Sequence, residues 1–278
     1  SLFFAEISGS AVADVAALGS VMIPQMKKRG YSGPLAAAIT SSSASLAIII
    51  PPSIPMIVYG VSANASIEQL FVAGVVPGLL GAAGLMGVAY AFACKYNLPT
   101  EESFNTRRVK ETFKEALPTF LLPVIILGGI FGGVVTATEG AALAVVTALF
   151  IGTVVYRELD LSKLYHAMID GVVQTSVVML LVAASAVLGL YLAETGLPQR
   201  LAGGITGITT NVLVVLMIIN VFLLFVGMVL HGAAAIILTV PIFMPLVQQL
   251  GIDPVQFGII LTLNIALGQQ TPPVASVL

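Results

Sequence analysis

Long apolar segments separated by short charged ones are the feature that most restricts how this chain can fold. A helix needs about 20 apolar residues to cross the hydrocarbon core of a bilayer. Runs near that length lie at 35–59, 70–94, 118–135, 140–156 and 172–193, with further apolar tracts at 212–250 and 255–278. Only 9% of the residues are charged, whereas soluble domains have about 25%. We therefore predict an all-α polytopic membrane protein whose surface is mostly in contact with the lipid bilayer.

The same composition excludes several functional classes. A chain of net charge −2 without a basic stripe is a poor partner for nucleic acid. One cysteine and two histidines do not support a disulfide framework or a zinc site, so we expect no cofactor and no transition metal. No Ser/His/Asp set and no HExxH motif is present, and an enzyme is not predicted. An intramembrane enzyme that uses His231 with Asp14 or Glu139 stays an alternative, as does a passive channel.

The distribution of Lys and Arg predicts which loops face the cytoplasm, because loops rich in these residues stay on that side. With 27–29 inside, the predicted crossings place 95–117 and 157–171 inside as well, and only Arg200 falls on the opposite side. The remaining loops, which we expect to be external, are 62–68, 136–139 and 194–211. All three basic clusters thus share one side of the membrane.

Two of the cytoplasmic segments have apolar residues spaced among their charges. This pattern at 95–117 and at 159–169 predicts amphipathic helices that lie along the membrane surface. Ordinary solvated loops are the alternative interpretation for each.

The N-terminal and C-terminal parts of the sequence share one pattern of proline and glycine. The pattern matches when each residue is aligned, without gaps, with the residue 221 positions later. In this repeat alignment the matching pairs are Pro24 and Pro245, Gly30 and Gly251, Pro51 and Pro272, and Pro52 and Pro273. The basic segment 27–29 corresponds to Gln248-Gln249-Leu250, which carries no charge, as expected if the second copy is inverted across the membrane. Inverted repeats with matching interrupted segments are typical of secondary transporters.

The paired prolines predict broken helices, because each proline removes a backbone donor and leaves carbonyl groups without partners. Such breaks persist in a membrane only where protein, water or an ion satisfies those groups. Hydroxyl and amide side chains crowd both breaks, and oxygen ligands suit a hard cation such as Na⁺; proline kinks whose serines bond back to their own helix are the alternative. The side chains concerned are Ser41, Ser42, Ser43, Ser45 and Ser53 at the first break, and Gln269, Gln270 and Thr271 at the second.

Two short interruptions predict the tips of re-entrant hairpins, one at 8–10 and one at His231-Gly232. Ionisable residues within membrane segments are functional candidates. Asp14, just beyond the first tip, either helps to attract a cation or is buried and bonded to neighbouring hydroxyls. Glu139 is better explained as a carboxylate at the start of a helix. His231 at the second tip is a candidate to line a cavity, whereas His166 is interpreted as interfacial.

Several of these segments resemble the large membrane subunit of TRAP (tripartite ATP-independent periplasmic) transporters, the DctM-like family. They are 8–19 (SGSAVADVAALG), 49–55 (IIPPSIP), 138–139 (TE), 251–258 with its GIDP and FG, and 271–274 (TPPV). The resemblance extends in order over essentially the whole chain. It implies an elevator-type ion transporter fold with an inverted-topology repeat, re-entrant hairpins and broken transmembrane helices. This chain departs from the usual family pattern at Ala47-Ile48, His231 and Ala275.

The resemblance also implies one sodium site at each hairpin tip. One sodium site would lie between the first tip and the first break, the other between the second tip and the second break, with the substrate between the two tips. The predicted sodium ligands are Ser8, Gly9, Ser10, Ser45, Ala47, Pro51, Gly232, Thr271 and Pro272. The predicted substrate-binding residues are Ser10, Ser43, His231, Asn264 and Gln269.

The function implied is Na⁺-coupled uptake of organic carboxylates, of the C4-dicarboxylate or sialic acid type. The expected partners are a small membrane subunit and a periplasmic substrate-binding protein, and the expected location is the bacterial inner membrane. A single-component Na⁺/dicarboxylate symporter of the divalent-anion type is the alternative.

We expect four segments: 1–60 and 172–278 as the two halves of a transport domain, and 61–117 and 118–171 as scaffold and connectors. The stretch 118–229 precedes the second hairpin and has no counterpart before the first, which begins close to Ser1. We therefore also expect the chain to be a piece of a longer protein, truncated at both ends.

Overall fold

The computed structural model describes residues 2–98 and 106–278, and every regular element within these ranges is helical. The helices are α1 Leu2–Ser8, α2 Ala11–Lys28, α3 Gly33–Ala44, α4 Ile54–Ala63, α5 Ile67–Lys95, α6 Thr106–Phe131, α7 Ala137–Phe150, α8 Leu161–Thr195, α9 Leu197–Ile208, α10 Val212–Val229, α11 Gly232–Gln249 and α12 Pro254–Gly268. A 3₁₀ turn at Ser45–Ile48 follows α3, and a π turn at Ile151–Val155 follows α7. Within the described chain, α5, α6, α7 with its π turn, α8, α10 and α11 are long and apolar enough to cross a membrane. The predicted all-α polytopic membrane protein is confirmed.

Large apolar side chains cover the outward faces of these long helices. Leu80 on α5, Val146 on α7 and Leu180 on α8 are exposed by 68%, 64% and 71%. Exposed apolar surface on this scale marks contact with lipid or with another protein. α11 differs, because most of its length is buried in a core formed with α10, α12 and α4.

Polar residues start many of the helices. The side-chain oxygens of Ser10, Ser53, Ser66, Asn211 and Asp253 accept backbone N–H groups in the first turns of α2, α4, α5, α10 and α12. These caps satisfy donors that a helix leaves without partners at its N-terminus. The capping residues therefore mark the points at which the apolar sequence is divided into separate helices.

The repeat is visible in the helix bounds. The repeat alignment carries both ends of α2 onto those of α11, the start of α3 onto that of α12, and the end of α1 onto that of α10. Gly30 and Gly251, which follow α2 and α11, both have positive φ, at 89° and 65°. Both proline pairs lie in non-helical breaks, and the Pro51–Pro52 and Pro272–Pro273 bonds are cis. The helix bounds thus follow one pattern in the two copies.

The prediction of a separate surface helix at 95–117 is wrong. Residues 106–117 are the first part of α6, which continues to Phe131 without a break, whereas 99–105 lie outside the described residues. Pro118 and Pro123 stand inside this helix. Membrane helices tolerate proline because neighbouring groups satisfy the freed carbonyls, so the change from charged to apolar sequence does not end the helix.

Two other loop predictions also need correction. The segment expected as a surface helix at 159–169 forms the first turns of α8, which continues to Thr195. The expected external loop at 194–211 contains α9, which has Pro198 in its first turn, where a missing N–H costs nothing. In the first segment α8 runs through the predicted boundary, whereas in the second Gly196, with φ 63°, separates α8 from α9.

The chain divides into two compact units. One consists of Ser1–Asn97 and Val178–Leu278, and contains both copies of the repeat together with α5, α9 and the C-terminal part of α8. The other, Leu98–Val177, contains α6, α7 and the start of α8. Within this second unit, the hydroxyl of Tyr156 donates to the carbonyl of Glu115 at 2.6 Å.

Candidate functional site

The first hairpin tip is a tight turn of Gly9 and Ser10 between α1 and α2. Gly9 has φ 61°, a conformation that glycine adopts without steric cost. The Oγ of Ser8 accepts the N–H of Ser10 at 3.2 Å and donates to Asp14. Ser10 begins α2, and its Oγ accepts the N–H of Ala13 at 3.5 Å. Local hydrogen bonds thus hold the three predicted ligands Ser8, Gly9 and Ser10 in one turn.

This tip lies directly against the first break. The N–H of Ile54 donates to the carbonyl of Gly9 at 3.2 Å. A Cβ on Gly9 would lie only 2.8 Å from the carbonyl oxygen of Pro52. The predicted association of the first tip with Pro51-Pro52 is therefore present in the structure, and only glycine fits at the contact.

The first break leaves a free carbonyl. In a continuous helix the carbonyls of Ala47 and Ile48 would accept from residues 51 and 52, which are prolines and have no N–H. The hydroxyl of Ser53 donates to Ile48 at 2.6 Å, whereas the carbonyl of Ala47 accepts no hydrogen bond from the described part of the chain. A buried carbonyl without a partner is costly. Ala47, a predicted sodium ligand, is itself fully buried.

The second tip lies against the second break in the same way. Leu230 and His231 connect α10 to α11, and the N–H of Val274 donates to the carbonyl of Met228 at 3.2 Å. A Cβ on Gly232 would lie 2.8 Å from the amide nitrogen of Gln269. The structure therefore brings together the second tip and Gln269, both predicted to belong to the site.

The second break satisfies its carbonyls differently. The carbonyl of Gly268 accepts the N–H of Thr271 at 2.8 Å, and that of Gln269 accepts the N–H of Val277 at 3.2 Å. The Thr271 hydroxyl donates to Leu267 at 3.0 Å. Thr271 and Pro272 are exposed, whereas the Gln269 side chain is buried.

The hydroxyls near the first break bond back to their own helix, as the alternative interpretation expected. Ser43 donates to the carbonyl of Thr40 at 3.0 Å, and Ser45 donates to that of Ser42 at 2.8 Å. These bonds use the hydroxyl hydrogens and leave oxygen lone pairs that can accept. Ser41 is buried, and its Oγ has no partner among the described residues.

The ionisable candidates have distinct environments. Asp14 is fully buried and accepts a hydrogen bond from the hydroxyl of Ser8. This agrees with the interpretation in which Asp14 is buried and bonded to neighbouring hydroxyls. Glu139 forms a capping box with Thr136 at the start of α7, which confirms its helix-start role. His231 is exposed at the N-cap position of α11 and makes no capping bond, and His166 on α8 is also exposed.

One polar pair in the core was missed by the sequence analysis. The amide of Asn264, on α12, donates to the side-chain oxygen of Asn220 on α10 and to the carbonyl of Ile260 at 2.7 Å. Asn264 is nearly buried, and Asn220 is half-buried. The signal that could have revealed the pair is a lone asparagine inside the most apolar run of the chain.

This pair should couple α10 to α12 measurably. Hydrogen bonds between membrane helices contribute about 0.6 kcal/mol on average and up to about 1.7 kcal/mol. We expect a double-mutant cycle of Asn220→Ala and Asn264→Ala to give a coupling energy in that range, measured by unfolding in mixed micelles. Pairing Asn264→Ala with Asn211→Ala, which removes the α10 cap instead, should give additive effects. Additivity in the first cycle would contradict the assignment.

The fold and site together define a polytopic helical membrane protein in which two hairpin tips each pack against a proline-broken helix. All of residues 1–278 match the model of the family described as tripartite ATP-independent periplasmic transporter, DctM component, and the chain belongs to that family. The family is a transporter component, so the enzyme alternative is excluded. The protein is accordingly a multi-pass protein of the bacterial inner membrane.

Three relatives illustrate the similarity. The uncharacterized protein YgiK of Salmonella typhimurium is 44% identical over 99% of this chain and 63% of its own length. The isethionate TRAP transporter permease protein DctMQ of Oleidesulfovibrio alaskensis is 41% identical over 98% of this chain and 43% of its own. The sialic acid TRAP transporter large permease protein SiaM of Vibrio cholerae is 41% identical over the whole chain and 65% of its own length. The chain thus spans less than two thirds of the length of these relatives.

Proposed function

We propose that this chain is the translocating part of a secondary transporter that couples the uptake of organic anions to a Na⁺ gradient. The observation that carries the proposal is the free carbonyl of Ala47 beside a glycine tip that packs on the same break. Backbone carbonyls, hydroxyl oxygens and a helix N-terminus close to one another are suitable ligands for Na⁺ and for an anion. The second tip also packs on its own break, where the carbonyls of Gly268 and Gln269 are hydrogen-bonded instead.

The substrate proposed is an organic carboxylate of the sialic acid or C4-dicarboxylate type. The relatives named for sialic acid and for isethionate both bear names of small organic anions. The predicted crossings contain no Arg, so carboxylate recognition would rest on hydroxyls, amides and helix N-termini. Ser10, Ser43, His231, Asn264 and Gln269 are the residues proposed for this role. The bond between Asn264 and Asn220 occupies part of its amide and leaves its carbonyl oxygen as the free acceptor.

We further propose that the chain works with a small membrane subunit and a periplasmic binding protein by an elevator movement. In this proposal 1–60 and 172–278 form the moving transport domain, and 61–117 and 118–171 belong to the scaffold. Membership of the tripartite family favours this arrangement over the single-component symporter. Moving one charge across 100 mV is worth about 2.3 kcal/mol, so more than one Na⁺ for each anion would drive accumulation.

The test is uptake into proteoliposomes that contain the complete permease, the small subunit and the binding protein. Uptake should require a Na⁺ gradient, and the Ser10→Ala and Thr271→Ala variants should raise the Na⁺ concentration for half-maximal uptake. Losing one oxygen ligand to a cation costs about 1.4 kcal/mol, which is roughly a tenfold increase in that concentration.

Two matched controls separate this effect from the loss of a hydroxyl as such. The hydroxyls of Ser20 and Thr147 also bond back to their own helices, at 2.8 Å each, but neither residue is a predicted ligand; Ser20 is exposed and Thr147 is half-buried. Ser20→Ala and Thr147→Ala should leave the Na⁺ dependence unchanged. Uptake that needs no Na⁺ would contradict the proposed coupling, and unchanged Na⁺ dependence in both site variants would contradict the assigned ligands.

A further inference from the structure

The first hairpin contains a buried carboxylate that makes one side-chain hydrogen bond within the described residues. Asp14 is in the first turn of α2 and is 0% exposed. One of its oxygens accepts the hydroxyl of Ser8, and the other has no partner within the described residues. No Lys, Arg or His in that part of the chain forms an ion pair with Asp14. A charge buried in this way requires a compensating ion or proton.

The second hairpin has no equivalent group. The repeat alignment, which superimposes the helix bounds, carries Asp14 onto Ala235 and Ser8 onto Val229. Ala235 is fully buried, as Asp14 is. The two copies therefore place a carboxylate and a methyl group at the same depth behind their tips.

The bond between Asp14 and Ser8 also orients the tip. The Ser8 oxygen gives its hydrogen to Asp14 and accepts the N–H of Ser10 at 3.2 Å. A serine oxygen has two lone pairs, so one is left for a cation. The carboxylate thus fixes the direction of that lone pair, and its negative charge lies directly behind the Ser8 oxygen.

We propose that the two sodium sites are not equivalent and that Asp14 is the reason. Acting through Ser8, Asp14 is the fixed counter-charge of the first site, which binds Na⁺ more tightly than the second and fills first. This inference rests on the proposed Na⁺ coupling. It goes beyond that function because it assigns an order to the sites and a positioning role to a residue that is not itself a ligand.

The direct test is a Na⁺ titration of the complete permease in detergent, at constant ionic strength with choline as the replacement cation. The midpoint of thermal unfolding should rise in two phases, seen as two increases in its slope against the logarithm of the Na⁺ concentration c, because each ion that binds only the folded state stabilises it by RT ln(1 + c/Kd). Asp14→Asn, which keeps the shape and removes the charge, should weaken the tighter phase at least tenfold and leave the weaker phase in place. Ser8→Ala should weaken the same phase. The double variant should be no worse than Asp14→Asn alone, since both act on one site.

A matched control is Asp253→Asn, at the N-cap of α12, where asparagine caps about as well as aspartate. It should leave both phases unchanged. If the wild-type protein shows a single Na⁺ affinity, the inference is overturned without any variant. An unchanged tight phase in Asp14→Asn also overturns it, because the carboxyl group would then be neutral. If Asp14→Asn does not fold, an unchanged tight phase in Ser8→Ala overturns it instead. Failure of the proposed Na⁺ coupling itself gives a different result, because the midpoint of thermal unfolding of the wild-type protein would then not respond to Na⁺ at all.

Discussion

Replacing Gly9 by alanine should nearly abolish uptake by the complete permease. Gly9 has φ 61°, and a Cβ there would lie 2.8 Å from the backbone oxygen of Pro52. No rotamer relieves this clash, because both atoms are fixed by the backbone. Left-handed strain and overpacking together cost about 2–4 kcal/mol, which lowers the equilibrium constant for packing the tip against the break roughly 30- to 1,000-fold. The measurement is the initial rate of uptake at saturating Na⁺, normalised to folded protein.

The Gly251→Ala variant distinguishes the effect of the steric clash with Pro52 from the effect of backbone strain at positive φ. Gly251 also has positive φ, 65°, but nothing lies within 4 Å of the position that a Cβ would take. This variant should lose only about 1 kcal/mol of stability and keep uptake within roughly threefold of the wild type. Equal losses in the two variants would show that the contact between Gly9 and Pro52 has no special role.

The repeat is the part of the fold that the sequence predicts best. Proline and glycine act through the backbone of the residue itself, so their positions mark ends and breaks without knowledge of tertiary contacts. The repeat alignment found from Pro24, Gly30 and the two proline pairs reproduces both ends of α2 and α11. The capping role of Glu139 is local in the same sense, because it depends on Thr136 in the same helical turn.

Features that depend on contacts between distant segments could not be predicted in this way. The change from charged to apolar sequence near Pro118 looks like a helix boundary, yet a helix can continue beyond the bilayer edge, as α6 does. The pairing of Asn220 with Asn264 requires the register of α10 against α12. Likewise, the sequence left two interpretations of Asp14 open, and only its burial and its bond to Ser8 show which neighbours it has.

Replacing Gly268 by alanine should separate α10 from α12 and cause a second severe loss of uptake. The two helices touch through glycine backbones, since a Cβ on Gly268 would lie 2.6 Å from the Cα of Gly227 and 2.9 Å from the carbonyl oxygen of Leu224. Carbon atoms in contact are normally about 3.5–4.0 Å apart, so the helices must move apart by about 1 Å. That movement would strain the bond between Val274 and Met228, which holds the second break beside the second tip.

We expect Gly268→Ala to cost about 3 kcal/mol of stability, at the upper end of the range for overpacked cores, and to reduce uptake roughly 100-fold. Gly84→Ala and Gly87→Ala on α5 are the matched controls, because both glycines are helical and have nothing within 4 Å of the position that a methyl group would take. Alanine favours helix over glycine by about 1 kcal/mol in water, so these variants should be neutral or slightly stabilised. Thermal unfolding and uptake measured on the same preparations decide the matter. If Gly268→Ala unfolds and transports as the α5 variants do, the glycine contact does not hold the second break against the second hairpin.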